Sequence, residues 1–136
     1  MPTTPNNAAF LSAIQGMTVS GVDRHYDAPP ESVDISAGEC AFPLMPESNQ
    51  GELLSSCVNM SKTRSIGYVI IIEAVGQGTN AQNYAKIAAL MDNLETALDA
   101  LTVSNFVDYG IGSTADYLIG GSAYWALVAQ ITMRSA

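Results

Sequence analysis

The chain is short, acidic and comparatively apolar. It has 136 residues, of which 48% are hydrophobic and 13% are charged, and 13 acidic against 5 basic side chains give a formal net charge of −8. The acidic balance and the scattered basic residues argue against a nucleic-acid-binding surface, because the neutralisation of phosphates requires clustered Lys and Arg. The length fits one domain, residues 1–136, with a single core. So few charged side chains indicate permanent protein partners.

The N-terminus and the cysteines predict where the chain is made. Residues 1–7 lack the basic segment and apolar core of a signal peptide, so we expect synthesis in the cytosol. The most apolar run, residues 64–75, is too short to cross a membrane as a helix. Cys40 and Cys57 allow one bridge at most, and reduced thiols are our expectation.

The first 26 residues predict one short helix and one short strand. Thr4 and Pro5 are typical of a helix cap and first turn, and Gly16 marks the predicted helix end. The apolar stripe of this helix consists of Phe10, Leu11, Ile14 and Met17. Residues 19–26 alternate between polar and apolar side chains and predict a short strand.

Residues 28–48, called the proline segment below, form a long extended arm or loop in this interpretation. Pro29, Pro30, Pro43 and Pro46 exclude long regular elements there. A structureless stretch of such length is uncommon in a compact domain unless it serves binding. It also carries apolar side chains that a surface loop does not need, namely Val33, Ile35, Phe42, Leu44 and Met45. We therefore predict that these five residues contact partner subunits.

A hairpin is predicted to follow the proline segment. A strand over 52–60 is expected to turn at 61–63 into a strand over 64–75, whose apolar groups on both faces indicate an interior position. Glu73 interrupts this apolar run. It either marks the strand end or points into a subunit interface.

The next pattern is typical of a long helix that lies on a sheet. The apolar positions are spaced alternately by three and four residues; they are Tyr84, Ile87, Met91, Leu94, Leu98 and Leu101. The opposite face is polar, with Lys86, Asp92, Asn93, Glu95 and Asp99. We expect that face to meet water.

Two strands are predicted to complete the chain. Residues 103–119 resemble one bent strand interrupted by Gly110 and Gly112, and Gly120-Gly121 is a two-residue hairpin turn that needs positive φ. The last strand, 122–133, alternates between two faces. One core is expected between sheet and long helix, containing Ile70, Ile72, Leu94, Leu98, Trp125, Leu127 and Ile131. The predicted fold class is α+β: a mainly antiparallel sheet packed against one long helix and a short N-terminal helix.

The sequence contains one motif with a known ligand chemistry. Gly76–Ala81 reads GxGxxA between a strand and a helix, as in dinucleotide-binding proteins. A nucleotide domain should continue with alternating strands and helices, and this chain does not. The alternative is a glycine-rich connector that ends the strand and lets Thr79 or Asn80 cap the helix.

Other polar residues form no complete catalytic or metal site. His25, with Asp23 and Asp27 nearby, is the only histidine, and no second histidine or nearby cysteine completes a metal site. Asp92, Glu95 and Asp99 are interpreted as the solvated face of the helix. We therefore expect no enzyme activity, no catalytic residue, no cofactor and no metal.

The order of elements resembles that of the tail terminator proteins of long-tailed bacteriophages. The resemblance is carried by a long helix from residues 83–86 to 98–101, then Asp108-Tyr109-Gly110-Ile111-Gly112-Ser113, then Gly120 to Val128 and a final alternating strand. A short first helix, the segment 26–46 and a hairpin extend it over nearly the whole chain. It is a likeness of pattern and not of a diagnostic motif.

This resemblance implies a structural virion protein. Such proteins form a ring, usually a hexamer, at the head-proximal end of the tail tube, stop tube growth and present a docking surface to the neck. The implied partners are further copies of this chain, the tail tube protein and neck or connector proteins, while genomic DNA passes the lumen without specific binding. The implied location is the virion, after assembly in the bacterial cytoplasm. Another neck or head-completion protein, or a small nucleotide-binding domain using Gly76–Ala81, are the alternatives.

Overall fold

The chain folds into an α+β structure in which two helices pack on a six-stranded, mostly antiparallel sheet. The computed structural model describes residues 7–31, 39–53, 60–74, 80–101 and 107–135. The helices are α1 (Asn7–Gln15) and α2 (Asn80–Asp99). The strands are β1 (Arg24–His25), β2 (Cys40–Pro43), β3 (Glu47–Leu53), β4 (Met60–Ala74), β5 (Val107–Ile119) and β6 (Ser122–Ser135). Neither helix in these ranges is long and apolar enough to cross a membrane.

Strand β4 is the centre of the sheet. The strand order is β1-β2-β4-β6-β5, and every pair is antiparallel except β1 with β2. Strand β3 also pairs with β4, next to β2 along the same edge. At 15 residues β4 is long enough to hold both short strands on one side and β6 on the other. The prediction of an interior strand over 64–75 is confirmed for 64–74, and residue 75 lies outside the described residues.

The side chains of β4 alternate between two cores. Those at even positions, such as Tyr68 and Ile70, pack under the helices, while Val69 and Ile71 pack on the opposite face. These four side chains are each at most 2% exposed. Alternation of side chains is a property of any strand, so a continuous apolar run buries both faces only if each face is covered.

The first core lies between the sheet and both helices. Phe10 and Ile14 of α1, Leu94 and Leu98 of α2, and Leu127 of β6 are almost completely excluded from water. The core predicted between the sheet and the long helix is therefore confirmed, with Trp125 packed at its margin, but the expectation that the chain has a single core was wrong. Tyr84 departs from the prediction: it stands in the first turns of α2, where it is 63% exposed.

The second core lies on the face away from the helices. Its fully buried members include Cys40, Phe42 and Ala126, and Tyr117 packs against them with its ring centroid 6.3 Å from that of Phe42. These two rings belong to β2 and β5, three strand positions apart, which is about 14 Å in a flat sheet. A Cβ on Gly120 would lie 3.2 Å from the Glu31 carbonyl oxygen. The sheet therefore curls until its β5–β6 end reaches the segment after β1.

A register irregularity in β5 decides which core each of its side chains meets. In β5 the shift falls between Thr114 and Tyr117, so that Tyr109 packs on the first core and Tyr117 on the second, although both positions are odd. The bend was predicted at Gly110 and Gly112, and this was wrong in position. A bulge inserts an extra residue and reverses the alternation that follows it.

The Gly120-Gly121 turn is as predicted. The two residues have φ of 58° and 83° and join β5 to β6 directly. Positive φ at both centres of a two-residue turn gives the twist that antiparallel neighbours need.

Three predicted boundaries were wrong. Residues 61–63, expected to form a turn, belong to β4, and residues 54–59 of the strand expected over 52–60 lie outside the described residues. The strand expected over 19–26 is confined to Arg24–His25. The proline segment holds β2 and the start of β3, because pairing with β4 provides backbone partners that local sequence does not reveal.

The position of Leu94 gives a direct test of the first core. This side chain is fully buried, so Leu94→Ala should lower the free energy of unfolding by roughly 2 to 5 kcal/mol. The matched control is Glu95→Ala on the exposed face of the same helix, which should change it by about 0.5 kcal/mol or less. Urea denaturation measures both. Equal urea midpoints for the two variants would contradict the packing of α2 in the first core.

Candidate functional site

His25 takes part in a structural hydrogen bond. Its Nε2 accepts a hydrogen bond from the backbone N–H of Val19 at 3.1 Å, which closes the turn before β1. Asp23 and Asp27 are exposed. Among the described residues no three His, Cys, Asp or Glu side chains come together in a group that could hold a metal ion.

The acidic residues of α2 lie on its solvent face. Asp92, Glu95 and Asp99 are exposed, and Asp99 accepts a hydrogen bond from the Tyr109 hydroxyl at 2.9 Å. This bond to a carboxylate raises the pKa of Tyr109, because it favours the protonated phenol. The hydrogen bond joins β5 to the last turn of α2. The three carboxylates face solvent.

Two buried ionisable groups are part of the cores. Burial raises the pKa of the Cys40 thiol, and the charge of Arg24 offsets part of this effect. Burial also raises the pKa of Tyr68 to about 12. Both groups stay neutral at physiological pH, as packing side chains do. Cys57 lies outside the described residues.

Glu73 is placed by the irregularity in β4. The register shifts between Ile71 and Glu73, so that Glu73 lies opposite Trp125 on the helix side of the sheet. Its Oε2 is 3.5 Å from the Nζ of Lys86 on α2. With 20% of its side chain exposed, Glu73 joins strand to helix within one chain, and its role in an interface stays a prediction. Of the nearby GxGxxA motif, residues 76–79 lie outside the described residues, and Asn80 begins α2.

The predicted contact residues of the proline segment separate into buried and exposed. Val33 and Ile35 lie outside the described residues. Phe42 is 0% exposed in the second core, so the expectation that it faces a partner was wrong: the curled sheet covers it. Leu44 is half-buried, and Met45 is 84% exposed.

Leu44 is fixed in position by a close approach to β4. Its backbone N–H donates to the carbonyl oxygen of Gly67 at 2.7 Å. A Cβ at Gly67 would lie 2.8 Å from the Leu44 Cδ1, so glycine leaves room for this side chain. Next to it a small cleft of about 210 Å³ is lined by the α1 residue Leu11 and by Pro29, Pro43 and Pro46. Met45 therefore projects from a proline-flanked backbone that is anchored to the sheet.

A larger apolar groove is lined by residues of α2, β5 and β6, and we call it the aromatic groove. It has a volume of about 400 Å³ between α2 and the strands β5 and β6. Its principal lining residues are Tyr84, Ile87, Ala88, Met91, Thr114 and Trp125. The Tyr84 and Trp125 rings meet edge to face with centroids 6.0 Å apart. The sequence pattern assigned Tyr84 to the core and so missed this surface.

Comparison with known proteins adds no assignment to these surfaces. The sequence matches no protein-family model, and a search of curated proteins finds no significant match.

Phe42 and Met45 form a matched pair for testing the two environments. Phe42→Ala should lower the free energy of unfolding by about 3 to 5 kcal/mol, since it empties a buried aromatic site. Met45→Ala should change it by about 0.5 kcal/mol or less, since the side chain already meets water. Thermal and urea unfolding of the monomeric state measure both effects. A stable Phe42→Ala chain would contradict the curled sheet.

Proposed function

We propose that this chain is the subunit of a ring that caps the head-proximal end of a bacteriophage tail tube and docks it to the neck. The proposal rests on the resemblance to tail terminator proteins and on one observation about the sheet. In this role the protein acts by shape and contact, without catalytic residues, a cofactor or a metal, and its location is the virion.

The observation that carries the proposal is the direction of the strands at the two sides of the sheet. Within the described residues β5 pairs only with β6, and β3 pairs only with β4. Along β3, β4, β6 and β5 each strand runs opposite to its neighbour. Copies placed head to tail would therefore bring β5 of one next to β3 of another in antiparallel orientation. Heterologous contacts of this kind generate closed rings when the rotation closes.

Composition supports the same function. A ring subunit buries two flanks on its neighbours, which suits a chain with only 13% charged residues. The net charge of −8 lowers adhesion to the phosphate backbone, as a lumen that passes DNA requires. The proline segment and the β3–β4 hairpin supply contacts to neighbouring copies and to the tube end. The candidates for these contacts are Leu44, Met45 and Glu73 among the described residues, together with Val33 and Ile35.

Two alternatives differ in what they predict. Another neck or head-completion protein would also form a ring, but its loss would leave tails of normal length. A small nucleotide-binding domain using Gly76–Ala81 would be a monomer or dimer that binds a nucleotide. The antiparallel sheet favours the ring over the nucleotide domain, since nucleotide folds of that class place their ligand at the carboxyl ends of parallel strands.

Assembly in the absence of this chain tests the proposal. We expect the purified protein to form rings with a central hole in negative-stain images. Particles produced without the chain should carry overlong tubes without heads, because nothing stops tube growth. Supplying the wild-type chain should restore tube length, and the destabilised Leu94→Ala chain serves as a negative control. Tubes of normal length joined to heads in the absence of the chain would contradict the proposal, and tubes of normal length without heads would favour the neck alternative.

The glycine motif gives a separate test of the nucleotide alternative. We expect NAD and ATP to leave the unfolding temperature of the wild-type chain unchanged. Gly78→Ala should alter stability alone, because the residue provides backbone freedom. Thermal shift and calorimetric titration measure both. Saturable nucleotide binding that is lost in Gly78→Ala would replace the ring with a nucleotide-binding function.

A further inference from the structure

Met45 is an exposed apolar side chain on a rigid support. It is 84% exposed, the largest value among the exposed large hydrophobic residues of the described chain. Pro43 and Pro46 restrict the backbone on either side, and the Leu44 N–H bond to Gly67 holds it to the sheet. Little conformational entropy of the backbone would be lost if this side chain met a partner.

The aromatic groove has the chemistry that accepts such a side chain. Its volume of about 400 Å³ exceeds that of one methionine side chain, and Tyr84 and Trp125 present ring edges and faces to it. A thioether makes favourable contacts with aromatic rings at about 5 Å. Tyr84 is 63% exposed, so the groove also has apolar surface to bury.

These two features lie at opposite ends of the strand order. Met45 follows β2, next to the edge strand β1, whereas the groove lies over β6 and the other edge strand β5. Two copies related by a heterologous contact would bring Met45 of one to the groove of the other. Each copy then offers a free Met45 on one side and a free groove on the other, which allows a closed ring.

The charge distribution permits copies to approach at this place. Identical chains with a net charge of −8 repel each other wherever acidic surfaces meet. The described residues lining the groove include no charged side chain, and residues 43–46 are uncharged as well. At the edge of the groove the Lys86 ammonium balances the Glu73 carboxylate.

We propose that Met45 of one copy inserts into the aromatic groove of the next and forms a principal contact of the ring. The inference rests on the proposed ring function and names the surfaces that build it. The occupant of the groove is a second copy of this chain, bound through a thioether against two aromatic rings.

Charge substitution tests the contact in the full-length chain. Met45→Lys places an ammonium in the groove, and Ala88→Glu places a carboxylate in its wall; each should raise the concentration needed for ring formation about tenfold or more. The double variant M45K/A88E should recover assembly, because the two charges meet across the contact. Ala85→Glu adds the same charge on α2 outside the groove lining and is the matched control. Sedimentation velocity and native mass spectrometry measure ring populations.

The outcomes separate this contact from the function. A wild-type ring that persists in both single variants overturns the contact and leaves the ring function intact. A wild-type chain that forms no ring at any concentration contradicts the ring function, and cysteine pairing then decides the contact. In a Cys57→Ser background, mixed M45C and A88C chains should cross-link more than M45C and A85C chains. Equal cross-linking in the two mixtures overturns the contact.

Discussion

The structure depends on the burial of β4 on both of its faces. Between Ile66 and Ile72 all residues except Gly67 are apolar or aromatic, and these six are each at most 2% exposed. A strand with this composition is stable only if each face has its own cover. The helices cover one face, and the sheet must curl over itself to cover the other. The short strands β2 and β3 pair with one edge of β4, and this pairing fixes their position.

Several of the described ionisable side chains serve folding, in the cores or in turns. The histidine, the described cysteine and the most perturbed tyrosine are all used for turns or packing, and the carboxylates of α2 meet water. What the described surface offers instead is apolar: Met45, Tyr84 and Leu118 are the exposed large hydrophobic residues. The contact that we propose between copies uses two of these residues, Met45 and Tyr84.

The bulges show how a small change in register places the functional surfaces. In β4 the irregularity turns Glu73 toward the helix side, where it meets Lys86 beside the aromatic groove. In β5 the shift after Thr114 carries Tyr117 to the second core, and Ser113, Thr114 and Ala115 line the groove next to it. Bulges next to binding sites commonly redirect side chains in this way. The irregularity in β5 therefore lies between residues of the groove and a residue of the second core.

The sequence by itself determined the elements whose pattern is local. Three patterns each indicate a backbone geometry directly, and all three were predicted correctly. They are the helical spacing of Ile87, Leu94 and Leu98, the alternation along the last strand and the Gly120-Gly121 turn. Tertiary structure alone decided that Phe42 is core, that Tyr84 is exposed, that residues 61–63 continue a strand and that β5 bends after Thr114. These outcomes depend on which distant strand lies alongside and in which register, and a one-residue shift moves every following side chain to the other face.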